Sequence, residues 1–280
     1  MTKVSVICPL YNAETDVIRL DESLKRQKKV ELDVNYILTA SSDWTEKILK
    51  KKKIPYKKIT KNEFSHSLTR EKAAMEAKGE VIVFLTQDVV ISDEEFIAKL
   101  IKPIVSGEVQ ATYARQMTKY DNIEKYTREY NYPGRSRVVS RDDLDKLGLK
   151  TFFFSDAAGA ISAKVFKKLG GYDGKDLPIS EDMYFAHKLI MSGGKIKYVA
   201  DAVVYHSHKF TFKELYNRYK LTGEFMKMNP GIAQYGVNNA GGGMAKYILK
   251  RALKEKRWDV ICRYIPDMAS RFMGMKAGEK

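Results

Sequence analysis

One carboxylate closes an apolar run: Val81-Ile82-Val83-Phe84-Leu85 leads into Thr86-Gln87-Asp88. Five consecutive apolar residues fit a strand buried on both faces. Ligands of open α/β sheets gather at the carboxyl ends of strands, so Asp88 stands where a nucleotide or its metal would be held. Two other clusters carry reactive groups. Ser180-Glu181-Asp182 sets two acids side by side, and Tyr205-His206-Ser207-His208 ends a strand pattern on two imidazoles. Side chains alternate along a strand, so His206 and His208 are expected on opposite faces, with at most one at the ligand. Ser155-Asp156-Ala157-Ala158-Gly159-Ala160-Ile161 is rich in small residues, which suits close backbone approach or a ligand wall.

The elements that position these groups alternate through the first half. A second buried strand opens the chain, Val4 to Tyr11, and short strands are expected at 34–38 and 56–59. Helical patterns fall at 17–24, 45–52 and 66–78, the last stopping at Gly79. Ser92 with Glu95 three residues on has the spacing of a capping box for a helix over 93–102. This β-α-β-α-β order predicts a mostly parallel sheet with helices on its faces. Further on, strands are expected at 109–115, 195–199 and 202–205, and helices at 123–130, 163–169, 181–191 and 212–227.

Composition narrows the class. A 280-residue chain with 44% hydrophobic and 30% charged residues has the makings of a globular protein with a substantial core. The chain enters a strand at once, so a secretory signal is not expected, and no apolar run reaches the ~18 residues of a membrane-spanning helix. Two distant cysteines, Cys8 and Cys262, point to a reducing compartment. The charge is lopsided. From Lys209 to Lys280 there are 15 Lys and Arg against 6 Asp and Glu, which accounts for +9 of the net +15. A basic tail on a nearly balanced domain points to an anionic surface. Nucleic acid is disfavoured, because no recognition motif or aromatic strand platform accompanies the charge.

Lined up in order, these pieces resemble a family-2 glycosyltransferase of GT-A fold. The residues that carry the resemblance are the opening Val-Ser-Val-Ile-Cys-Pro-Leu-Tyr-Asn, Thr69-Arg70-Glu71 before Ala77-Lys78-Gly79-Glu80, the Phe-Leu-Thr-Gln-Asp strand end and Glu181-Asp182. They span about residues 1–210. Within the family, Phe64-Ser65-His66-Ser67-Leu68-Thr69-Arg70, Phe-Leu-Thr-Gln-Asp and Tyr-His-Ser-His look most like bacterial rhamnosyltransferases, which draw on dTDP-L-rhamnose to build surface polysaccharides.

The resemblance implies an inverting glycosyl transfer with Asp182 as catalytic base and Glu181 orienting it or the acceptor. A Ser180 cap that uses both acids at a helix N-terminus is the plainer alternative. Asp88 corresponds to the last aspartate of the family's DXD motif, and Thr86 replaces the first. A divalent cation, Mg²⁺ or Mn²⁺, is implied at Asp88 with His206. Pro9, Tyr11, Asn12, Thr39, Arg70 and Gln87 are implied to bind the nucleotide sugar together with Asp88. Thr39 stands where many members read uracil with an aspartate, and its neutral hydroxyl leaves thymidine open. Asp156 is a candidate for acceptor hydroxyls, and Trp44 for stacking on a base or packing in a helix.

The expected domains are a GT-A unit at 1–228, a Gly-rich hinge at 229–243 and a basic amphipathic helical tail at 244–280. Tyr247, Ile248, Leu249, Leu253, Trp258, Val260, Ile261 and Ile265 interleave with cations there. That pattern suits an interfacial helix on the inner membrane surface, near a lipid-linked or cell-surface glycan acceptor. A helix pair packed on the catalytic domain, or on a second subunit of a homo-oligomer, fits the same pattern. A UDP-hexose or UDP-N-acetylhexosamine donor, and a catalytically idle glycan-binding scaffold, are the competing functions.

Overall fold

The structure is a computed structural model that describes residues 1–280, except that the side chains of 237–241 lie outside the described residues. Its strands are β1 (Thr2–Leu10), β2 (Val30–Thr39), β3 (Tyr56–Ile59), β4 (Val81–Leu85), β5 (Ala111–Met117), β6 (Arg137–Val139), β7 (Ala158–Ser162) and β8 (Ile196–Tyr205). Helices of the first half are α1 (Val17–Lys25), α2 (Thr45–Lys51), α3 (His66–Glu76), α4 (Phe96–Val105) and α5 (Ile123–Asn131). Those of the second half are α6 (Leu144–Leu147), α7 (Ala163–Lys168), α8 (Glu181–Met191), α9 (Phe212–Met228), α10 (Pro230–Ala233), α11 (Val237–Lys254) and α12 (Trp258–Glu279).

All eight strands join one sheet in the order β3-β2-β1-β4-β7-β5-β8-β6. The β3-β2-β1-β4 half is parallel throughout, as the alternation of elements requires. Beyond β4 the sheet is mixed: β7 runs antiparallel to both β4 and β5, while β8 is parallel to β5. The alternating strand faces explain the two cores. Val4, Val6, Cys8 and Leu10 pack towards Leu20, Phe96 and Leu100, whereas Ile7, Ile82 and Phe84 face Phe166, Tyr172 and Phe185. Burial pushes the Cys8 thiol up to about 12, so it behaves as an inert core residue.

Three local expectations change. The strand patterns at 195–199 and 202–205 are one strand, β8, which bulges against β5 between Ala114 and Arg115. The capping box at Ser92 is absent: Asp93 Oδ1 accepts the Glu95 N–H at 2.8 Å and Gln27 Oε1 accepts that of Ile97 at 2.9 Å, so α4 starts at Phe96. Strand β7 hides in the small-residue run, whose Ala and Gly have little strand propensity. The expected close approach is there, since a Cβ on Gly159 would meet the Ser155 carbonyl oxygen at 2.7 Å.

The tail packs back on the domain. Met244, Ile248 and Ala252 of α11 and Val260 of α12 form a small core with Ile123 and Tyr126 of α5. Helix α12 lies along α9 at glycine contacts, where a Cβ on Gly274 would meet the Tyr216 carbonyl oxygen at 2.3 Å. Part of the hinge expected at 229–243 falls on 237–241, whose side chains lie outside the described residues; before it, Pro230–Ala233 forms a helical turn. Among the described residues, no helix is long and apolar enough to cross a membrane.

Candidate active site

At the carboxyl end of β4, Asp88 meets both histidines that follow β8. Its Oδ2 lies 3.5 Å from His206 Nε2 and 3.7 Å from His208 Nε2. The expected opposite orientation of the two imidazoles does not hold. Strand alternation ends at Tyr205, and the next residues curl so that the two Nε2 atoms stand 3.2 Å apart. A backbone bridge between Val90 and Tyr205, with N–H···O distances of 2.9 and 3.0 Å, ties the Asp88 segment to this strand end.

Behind His206 lies a relay with no signature in the sequence. Gln116, fully buried in β5, accepts the His206 Nδ1 proton at 2.9 Å through Oε1. The same oxygen accepts from Arg128 at 2.6 Å, and the Gln116 amide donates to Ser155 Oγ at 2.8 Å. An Nδ1–H held in this way leaves the Nε2 lone pair facing Asp88. Burial pushes the His206 imidazole down to about 3 against the opposing pull of Asp88, so the ring is neutral at physiological pH. The ligand atoms of Asp88, His206 and His208 all lie within 4.8 Å of one another. Two imidazoles and one carboxylate fit a divalent cation, and the nitrogen donors suit Mn²⁺ better than oxygen-seeking Mg²⁺.

Next to this corner, between the ends of β1, β2 and β4, is a cavity of about 440 Å³. Pro9, Tyr11, Thr39, Arg70 and Gln87 line it, five of the residues implied for a nucleotide sugar. Asn12 does not; it is an exposed turn residue with φ +50°. Three polar atoms in the cavity wall lack protein partners: Thr39 Oγ1, Thr86 Oγ1 and Arg70 Nε. Buried polar groups are almost always paired, so these three atoms are candidates to meet a polar ligand. The Gln87 amide is occupied, clamping the Tyr11 N–H and C=O at 2.8 Å each and locking the tips of β1 and β4 together. Trp44 lies outside the cavity, exposed beneath the Lys47 ammonium at 4.0 Å.

Beyond Arg70 comes a cluster of acids. Arg70, 5% exposed, donates to the His66 carbonyl at 2.8 Å and pairs with Glu181 at 3.4 Å. Asp156 is buried and accepts the Tyr172 hydroxyl at 2.5 Å through Oδ2, while its Oδ1 lacks a partner. Burial raises the Asp156 carboxyl well above its usual range, and the neighbouring Asp182 and Glu181 add to the effect. Asp182 is pushed up to about 7, first by burial and then by Glu181. Ser180 does not cap α8 with its side chain; it adopts a left-handed φ of +63°, immediately before the two acids.

The Glycosyl transferase family 2 model matches residues 5–170, more than half of the chain. The chain belongs to that family. This glycosyltransferase is 32% identical over 285 residues to the O-antigen chain rhamnosyltransferase RfbN of Salmonella typhimurium, covering 99% of this chain and 90% of the relative. It is 31% identical over 289 residues to the O-antigen chain rhamnosyltransferase WbaN of Salmonella anatum, covering 100% and 90%. Among solved structures, the mannosyltransferase PcManGT of Pyrobaculum calidifontis, in complex with GDP-Man and Mn²⁺, superposes with a TM-score of 0.62 at 16% identity. The match covers 98% of this chain and 85% of that one, consistent with the GT-A fold.

Within the glycosyltransferase, the Phe64–Glu71 motif is a fastener as much as a binding element. Ser65 donates to Asp176 at 2.6 Å, and Ser67 bridges the Lys175 carbonyl and the Leu177 N–H at 2.6 and 2.8 Å. Glu71 accepts the N–H groups of Tyr172 and Gly174. Helix α3 thereby fixes the loop that carries Tyr172 to Asp156 and leads on to Glu181. Tyr172, Gln116 and Arg128 escaped the sequence reading; no spacing marks them, because their partners are 12 to 90 residues away.

Proposed function

We propose that the enzyme is an inverting rhamnosyltransferase that transfers L-rhamnose from dTDP-L-rhamnose to a lipid-linked or cell-surface glycan. The sugar and the acceptor class rest on the two O-antigen rhamnosyltransferase relatives. The observation that supports the mechanism is the succession of a cation corner, a cavity with unpaired polar walls and, joined to that cavity through the Arg70–Glu181 pair, a carboxylate poised near neutrality. Asp88, His206 and His208 would hold the cation, which when bound offsets charge on the leaving diphosphate.

Asp182 takes the proton of the acceptor hydroxyl as that oxygen attacks the anomeric carbon, and the bond to the diphosphate breaks on the opposite face. A base titrating near 7 is matched to this task at physiological pH. Arg70 pairs with Glu181 beside Asp182, and its Nε–H, which has no protein partner, is the candidate donor to the nucleotide sugar. Asp156 orients acceptor hydroxyls through its unpaired oxygen. Thr39 and Thr86, being neutral, accept a thymine and a deoxyribose without electrostatic penalty.

The division into a catalytic unit at 1–228, a hinge at 229–243 and a membrane-facing tail at 244–280 is part of the same proposal. It places the enzyme in the cytoplasm, peripheral on the inner face of the plasma membrane, with the basic tail as support. Calorimetric titration with dTDP-L-rhamnose, dTDP, UDP and UDP-glucose, with Mn²⁺ or with EDTA, tests the donor. Cation-dependent preference for the thymidine compounds is the expected result. Preference for uridine compounds would keep the enzyme class and overturn the rhamnose donor.

A further inference from the structure

Helix α12 uses two of its faces and leaves the third bare. Gly274 and Gly278 are pressed against α9, and Val260 joins the small core with α5 and α11. On the remaining side, Trp258, Ile265 and Phe272 are 67%, 72% and 62% exposed. Their seven-residue spacing is close to two helical turns, so they share one face over about 21 Å. Exposed Cys262 and Met273 lie near this face. Large apolar side chains arrayed this way on a helix already anchored by its other faces mark a contact surface.

The charges around the stripe select its occupant. Lys246, Lys250, Lys254 and Lys256 are exposed on α11 and the turn leading into Trp258, and none has a carboxylate partner among the described residues. The exposed acids nearby are engaged: Glu255 by Arg251 at 2.5 Å and Asp259 by Arg257 at 2.8 Å. A second copy docking through a two-fold axis would set this cationic margin against itself, whereas an anionic lipid surface complements it. The Trp258 end also lies beside the cation corner. Arg263 donates to the Phe210 carbonyl, two residues past His208, and Arg257 reaches Asp121 at 2.7 Å.

We propose that the Trp258–Ile265–Phe272 face of α12 inserts into the headgroup boundary of an anionic bilayer and holds the cation corner of the site close to the lipid. This deepens the membrane reading given above and rests on it. It also corrects which residues meet lipid, since Ile248 and Val260 are buried against α5.

The test follows Trp258 fluorescence in the full-length chain carrying Trp44→Phe, mixed with vesicles of phosphatidylglycerol and phosphatidylcholine or of phosphatidylcholine alone. The expected result is a blue shift with the anionic vesicles, and at least about tenfold weaker partitioning for the Ile265→Ser/Phe272→Ser pair. Helical content by circular dichroism and transfer to a soluble acceptor analogue should be unchanged in that pair, which separates this proposal from the catalytic one. Vesicle binding that the double variant leaves intact, or the absence of any blue shift, would overturn insertion. So would a dimer in light scattering that the double variant dissolves, because the face would then belong to a second copy.

Discussion

The cation corner and the acid corner of the cleft answer the same force in opposite directions. Burial drives the His206 imidazole down to about 3 and the Asp182 carboxyl up to about 7. In both cases the low-dielectric interior favours the neutral form. A neutral imidazole is ready to donate its lone pair to a cation, whereas a carboxylate near neutrality is ready to take a proton and release it. One physical effect thus prepares two chemistries, and the local partners decide which: Gln116 fixes the ring proton of His206, and Glu181 adds repulsion at Asp182.

The sharpest way to break this contrast is Asp182→Asn. We predict that it lowers transfer by ~10³-fold or more while leaving nucleotide affinity within about threefold. Near-wild-type turnover would remove Asp182 from the base role. Asp88→Ala should weaken Mn²⁺ binding by at least about 100-fold, read by calorimetry without nucleotide. Gln116→Leu tests the relay: a 10- to 100-fold loss of Mn²⁺ affinity is expected at about unchanged cation-free nucleotide binding. If Gln116→Leu binds Mn²⁺ normally, the Nδ1 contact has no part in the cation site.

The acid corner also makes a prediction about stability. Unfolded Asp182 titrates near ~4 and the folded group at about 7. The stabilisation from its neutral form is therefore complete below about pH 4 and is lost as pH rises through 7. Asp182→Asn should accordingly stabilise the fold by ~2 kcal/mol at pH 8 and by less at pH 5, measured by urea unfolding. An equal effect at both values would show that the carboxyl is not strained. In the active enzyme, kcat/KM should climb with pH and level off above about 7.

Legibility in the sequence followed the range of the contacts. Strands β3 and β4 and helix α8 matched their expected bounds residue for residue; a continuous apolar run announces β4 locally, and Gly193-Gly194 the end of α8. Asp88, Thr39, Arg70 and Asp182 stood out by type and position in an ordered set of motifs. What stayed hidden depends on partners far away in the chain. His208 turns towards Asp88 because β8 ends at Tyr205 and pairs with Val90, and Gln116 matters only through Arg128, Ser155 and His206. Strand β7 was masked by its composition; its alanines and glycine serve the crowded turn against Ser155 and Phe154 rather than strand propensity.

The glycine contacts between α9 and α12 make the end of the chain a mechanical part of its centre. A Cβ at Gly278 would meet the Lys220 carbonyl oxygen at 2.0 Å, so this seam accepts no side chain without parting the helices. Helix α9 begins four residues after His208, and Thr211 Oγ1 caps its first turn. Bulk introduced at Gly274 or Gly278 is therefore expected to be felt at the first turn of α9, beside His208, so that a fault in a distant helix seam would pass for a damaged catalyst.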